Sequence, residues 1–157
     1  MRKAKSKKAK VTALEAYSEV VEAVLQHGGA DPKEARLEGS GTERAGWRIQ
    51  RGSAPVFILL EDSGERSALR IESPILRLPS ANLLPFYRRC LEINDRLREC
   101  ALAVRDDVIL LVSDRPLEAL EPQEVAQSID ILSFAADNLD DELAKEFGAK
   151  LFTEPTV

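Results

Sequence analysis

Few side chains in this sequence are of the types that make or break bonds. It holds one histidine, His27, and two cysteines, Cys90 and Cys100. Nucleophilic catalysis needs a serine or cysteine beside a base. Ser113-Asp114 supplies two residue types of a serine triad, but the one histidine lies far away in the chain. A zinc site needs about four ligands at suitable spacing, and one histidine with two cysteines ten residues apart does not provide them. Gly39-Ser40-Gly41 is glycine-rich, yet it lacks the following Lys-Ser/Thr and the strand-to-helix setting of a phosphate loop. Asp106-Asp107 and Asp140-Asp141 are adjacent carboxylates. The first pair reads as a turn and the second as solvated helix surface. His27 falls at a helix end, where a cationic ring suits the dipole. Cys90 falls on an apolar stripe and reads as a small core residue. The expectation is a protein with no catalytic residues, no metal and no cofactor.

Composition points the same way. With 157 residues the chain is about one domain long and needs no disulfide staple. Aromatics are 5% against 44% hydrophobic residues, so aliphatic side chains must build the core. The formal charge of -5 is unevenly spread. MRKAKSKKAK carries six basic residues and no acidic one, and the remainder has 16 basic against 27 acidic, a net of -11. An acidic body repels phosphate backbones, so it is not expected to bind nucleic acid. Residues 1–11 read as a basic disordered tail, 12–152 as a single domain and 153–157 as a C-terminal tail. No apolar run follows the N-terminal charges, so no signal peptide is expected, and no run is long enough to span a membrane. Reduced, packed cysteines and a cytoplasmic location follow.

These features need elements to position them. Thr12 and Glu15 have capping-box spacing and start a helix with apolar residues at Leu14, Tyr17, Val21 and Val24. Gly28-Gly29 ends it, and residues 28–46 read as a loop. Trp47–Gln50, Val56–Glu61 and Ser67–Glu72 read as strands, with Ser73-Pro74 an interruption before Ile75–Leu78. Asn82 caps a second helix running to about Leu97, which places Pro85 in its first turn, where amides lack helical partners. Cys100–Arg105 and Val108–Ser113 form a hairpin about Asp106-Asp107. VILLV is apolar on both faces and predicts cover on both sides. Pro122 opens a last helix with Val125, Ile129, Leu132, Ala136, Leu139 and Leu143 on one stripe, stopped by Gly148.

The second helix holds one anomaly. Its stripe runs through Leu83, Tyr87, Cys90 and Leu97, and the same steps pass through Asn94. An amide in that row is a structural candidate, because a buried amide with unmet hydrogen bonds costs about 1–3 kcal/mol.

PILRLPSANLLPFYRRCLEIND, followed by CALAVRDDVILLVSDRPLEALEPQEVAQSIDILSFAADNLDDEL, resembles the YbjN and type III secretion chaperone-like superfamily. The resemblance spans roughly residues 47–148. It implies an α+β fold, an antiparallel sheet of about five strands with three helices in the order α-βββ-α-ββ-α. It also implies a homodimer and a non-enzymatic chaperone or adaptor that holds an extended client segment. Asn94 matches the asparagine ending this helix in the family pattern. On this reading Val56, Ile58 and Leu60, on one face of VFILLE, are candidates for peptide binding. Leu83, Phe86, Tyr87 and Cys90 are candidates for the dimer surface. The alternative is a regulatory scaffold that binds a folded partner, with the basic tail as its tether.

Overall fold

A computed structural model describes residues 12–39, 41–63 and 67–154. The order is α1 (Ala13–His27), α2 (Pro32–Ala35), β1 (Arg44–Arg51), β2 (Ala54–Asp62), β3 (Ser67–Arg77), α3 (Leu83–Asn94), β4 (Ala101–Arg105), β5 (Val108–Pro116) and α4 (Pro122–Phe147). The expected basic tail lies outside the described residues.

The five strands form one antiparallel sheet in the order β1-β2-β3-β5-β4. The α+β class holds, with one helix more than expected: α2, a single turn inside the presumed 28–46 loop. Asp31 caps it by accepting from the Lys33 N–H at 2.8 Å, and Pro32 fits its first position. Other boundaries differ too, β1 beginning at Arg44 rather than Trp47 and β2 at Ala54 rather than Val56. β3 does not break at Ser73-Pro74 but continues through it, with a bulge between Pro74 and Leu76. Proline cannot donate to the ladder, and a bulge accommodates that loss. α3 stops at Asn94 rather than near Leu97, and its N-cap Asn82 takes a left-handed conformation without a side-chain cap bond.

The long helices lie on one face of the sheet. The stripe expected on α4 is the buried one, with Val125, Leu132, Ala136 and Leu143 wholly enclosed. On α1 the inward row is Leu14, Ser18, Val21 and Leu25, so Tyr17 and Val24 sit at its flank. The core is aliphatic apart from Trp47, Phe86 and Cys90. Each such aliphatic side chain contributes about 1.5–3 kcal/mol on full burial.

The other face of the sheet carries ion pairs. Arg105 on β4 reaches Glu72 on β3 through two bonds of 2.8 and 2.7 Å, crossing β5 on the face of Leu110. Arg70 bonds Glu72 at 3.1 Å and Asp114 at 2.6 Å. Leu110 is only 3% exposed although no helix lies on its side, so VILLV is covered on both faces as expected. The C-terminal segment is tied down as far as Glu154. The Phe152 N–H donates to Ile75 and Arg48 pairs with Glu154 at 2.7 Å.

Candidate interaction surface at the sheet edges

An antiparallel sheet has two edges, and each exposes a row of backbone donors and acceptors unless something covers it. The β1 edge is covered by the chain itself. Arg36 forms a bridge with Trp47, the Leu37 N–H donates to Gly46 at 2.9 Å, and the Gly41 N–H donates to Arg44 at 2.9 Å. The guanidinium of Arg36 lies 4.6 Å from the Trp47 ring and pairs with Glu22. Leu37 folds over Gly46, where an added Cβ would stand 3.0 Å from the leucine methyl.

The β4 edge is only half covered. Antiparallel pairing turns alternate residues toward the neighbour. Ala101, Ala103 and Arg105 face β5, and Leu102 and Val104 face outward. Asn94, at the end of α3, occupies the outward groups of Leu102. Its Nδ2 donates to the Leu102 carbonyl and its Oδ1 accepts from the Leu102 N–H. The outward N–H and C=O of Val104 have no partner among the described residues. Beside them lies an apolar groove of about 300 Å³ between α3 and β4, lined by Tyr87, Cys90, Leu91, Leu102 and Val104.

Large apolar side chains of α3 and β4 face water. Leu84 is 81% exposed, Leu91 69% and Val104 46%. α3 is held rigidly beneath them. Arg89 pins it to α4 through Glu142 at 2.6 Å and Glu146 at 3.1 Å. Phe86 packs edge-on against Phe147 with centroids 5.1 Å apart. The exposed leucines are therefore held in place.

The sequence candidates divide. Tyr87 and Cys90 line the groove, Leu83 is exposed in the first turn of α3, and Phe86 is fully buried in the domain's own core. Val56, Ile58 and Leu60 have 0%, 0% and 1% exposure, so the face of β2 expected to take a peptide is the one packed beneath the helices. A period of two identifies a face but not which side the helices cover. Leu84 and Leu91 escaped notice because they lie off the core stripe. Their separation of seven residues, two helical turns, was the signal available.

The titratable groups of the region do not favour thiol chemistry. Burial pushes the Cys90 thiol up, opposed in part by Arg89. Burial raises Cys100 too, and Glu99 adds to it. The thiolate is the reactive form. Asp140, expected on solvated helix surface, is instead 4% exposed and accepts from Ser53 Oγ at 2.9 Å. It helps anchor the β1–β2 turn to α4. Among the described residues no group of three or more His, Cys, Asp or Glu side chains is placed to hold a metal, and no helix is long and apolar enough to cross a membrane.

Comparison with known proteins agrees with this architecture. Residues 15–155 match the family described as "T3SS (YopN, CesT) and YbjN peptide-binding chaperone 1". The fold is similar to the structure described as the ExsC-ExsE complex, with a TM-score of 0.61 and 12% identity over 82% of this chain and 93% of that one. Weaker likenesses are to the HopA1-SchA chaperone-effector complex (TM-score 0.49, 12% identity, 77% and 92% coverage) and to the Yersinia pestis type III secretion chaperone SycH with a YscM2 fragment (TM-score 0.45, 16% identity, 82% and 98% coverage). No curated protein matches.

Proposed function

Because the chain belongs to the T3SS and YbjN peptide-binding chaperone family, we propose that it is a non-enzymatic cytoplasmic chaperone that holds an extended segment of a client protein as a homodimer. The observation that carries the reading is the family match over residues 15–155 together with a fold that leaves one sheet edge open beside an apolar groove.

The dimer is assigned to α3 and the β4 edge. Leu84 and Leu91 are large apolar side chains in water, and Val104 presents a free backbone donor and acceptor beside them. Two copies related by a two-fold axis would exchange both Val104 hydrogen bonds and cover both pairs of leucines. Asn94 limits the pairing to that rung by holding Leu102, so the edge closes once and does not grow into a longer stack.

The test couples sizing with capture. The tagged chain is expected to sediment at twice its own mass and to retain a client whose bound segment resists proteolysis. A solitary chain that retains no client segment under the same conditions refutes the reading.

A further inference from the structure

A second cleft lies between the last turn of α1 and the first turns of α4, about 360 Å³ in volume. Val24, Ala126 and Ile129 make it apolar. Arg51, from the end of β1, and His27 stand on its wall, opposed by one carboxylate, Asp130.

Arg51 is the unusual member. It is half-buried, and its Nη2 lies so near the end of α1 that a Cβ added at Gly28 would be 3.1 Å away. Among the described residues its guanidinium makes no hydrogen bond or ion pair. By contrast, half-buried Arg36 pairs with Glu22, Arg70 with Asp114 and Arg89 with Glu142. A partly desolvated guanidinium with five donors in a planar fork is matched by a carboxylate.

We propose that this cleft seats the client segment, taking an apolar side chain over Val24, Ala126 and Ile129 while a client carboxylate pairs with Arg51. The proposal rests on the chaperone reading above and names the chemistry of the segment held: an oily residue with an acidic one nearby. An extended segment sets side chains two residues apart on one side, separated by about 7 Å, so one strand delivers both groups to the cleft.

The probes are two fluorescent peptides in a Gly/Ser background. One carries a leucine followed two residues later by an aspartate, and the other replaces the aspartate with lysine. Anisotropy with the full chain is expected to show at least tenfold tighter binding of the aspartate peptide. Arg51→Glu reverses the preference, Arg51→Gln abolishes it, and Ala126→Trp fills the cleft and removes binding of both. Melting curves check that each variant is folded. Equal affinity for the two peptides, no binding of either, or a preference unmoved by Arg51→Glu overturns the proposal. If the wild-type chain still retains a captured client when the peptides fail, the cleft assignment alone falls. If it retains none, the chaperone reading falls with it.

Discussion

Asn94 makes to Leu102 both hydrogen bonds that a neighbouring strand would make, donating from Nδ2 at 3.2 Å and accepting at Oδ1 at 2.7 Å. A side-chain amide has one donor group and one acceptor in the arrangement of a peptide unit. It therefore joins the end of α3 to the outer edge of β4 and closes one rung of an open ladder. Asn94→Leu leaves an N–H and a C=O unmatched in a half-buried site, at a cost of about 1–3 kcal/mol. The melting temperature is expected to fall by about 2–4 °C for each kcal/mol in a chain of this size. An unchanged melting curve would remove the role given to this amide.

On the proposed reading the exposed leucines of α3 serve association rather than stability. Leu84→Glu and Leu91→Glu replace side chains that are 81% and 69% exposed. Surface changes of this kind alter stability by about 0.5 kcal/mol or less. Light scattering is expected to show the monomer for the double variant, with melting of that monomer close to that of the wild-type subunit at low concentration. A double variant that stays dimeric would place the interface elsewhere.

Acid should weaken the sheet through Glu72. Burial raises its carboxyl, but the bonds from Arg105 and Arg70 outweigh burial and hold it below its ordinary value of 4.5. A lowered folded-state pKa contributes stability above the unfolded value, and that contribution is lost as pH falls toward the folded one. Urea unfolding of the wild type is thus expected to weaken as pH drops below about 4.5. Glu72→Gln should lack this part of the acid loss. Parallel pH profiles for the two chains would contradict the assignment.

Asp140 has the opposite sign. Burial pushes its carboxyl above the ordinary 3.8, with Asp141 and Asp137 acting the same way, against the bonds from Ser53 and the Asp141 amide. The folded state prefers the proton, so stability falls as pH rises from 3.8 through the raised value. Asp140→Asn keeps an oxygen for Ser53 and removes the charge. It is expected to flatten that slope and to stabilise the domain relative to wild type above the raised value. A slope identical in both chains would show that another group causes it.

Gly52 is required by both its backbone and its surroundings. Its φ is +57°, and a Cβ there would lie 2.4 Å from Asp137 Oδ1. Gly52→Ala is expected to cost about 1–2 kcal/mol for the left-handed backbone alone. It should also break the docking of the β1–β2 turn, in which Ser53 bonds Asp137 and Asp140. Asp137→Ala in the same chain should recover the steric part and leave the backbone part. A Gly52→Ala protein melting like wild type would refute this.

The limits of α1 and α4 were legible because their signals are local. Thr12 and Glu15 exchange the bonds their spacing predicts, at 2.8 and 3.2 Å. Pro122 opens α4 and Gly148, at φ 65°, ends it. The hairpin at Asp106-Asp107 also followed from the two residues between its apolar runs. α2 was missed because one turn is too short to show a period.

The candidate interaction surface was legible only in part. The sequence singled out Asn94 as a polar residue in an apolar row, but its partner Leu102 depends on how α3 packs against β4. Val56, Ile58 and Leu60 were recognisable as one face of a strand, yet their burial was decided when α1 and α4 settled on that side of the sheet. The cover over the β1 edge and the open rung at Val104 were likewise settled by packing. The chain alone determined which stretches form its longer helices and strands and which side of each is oily, since periods of 3.6 and 2 are properties of neighbouring residues. Only the tertiary structure decided which oily sides were used up within the domain, because burial and edge pairing are relations between segments far apart in the chain.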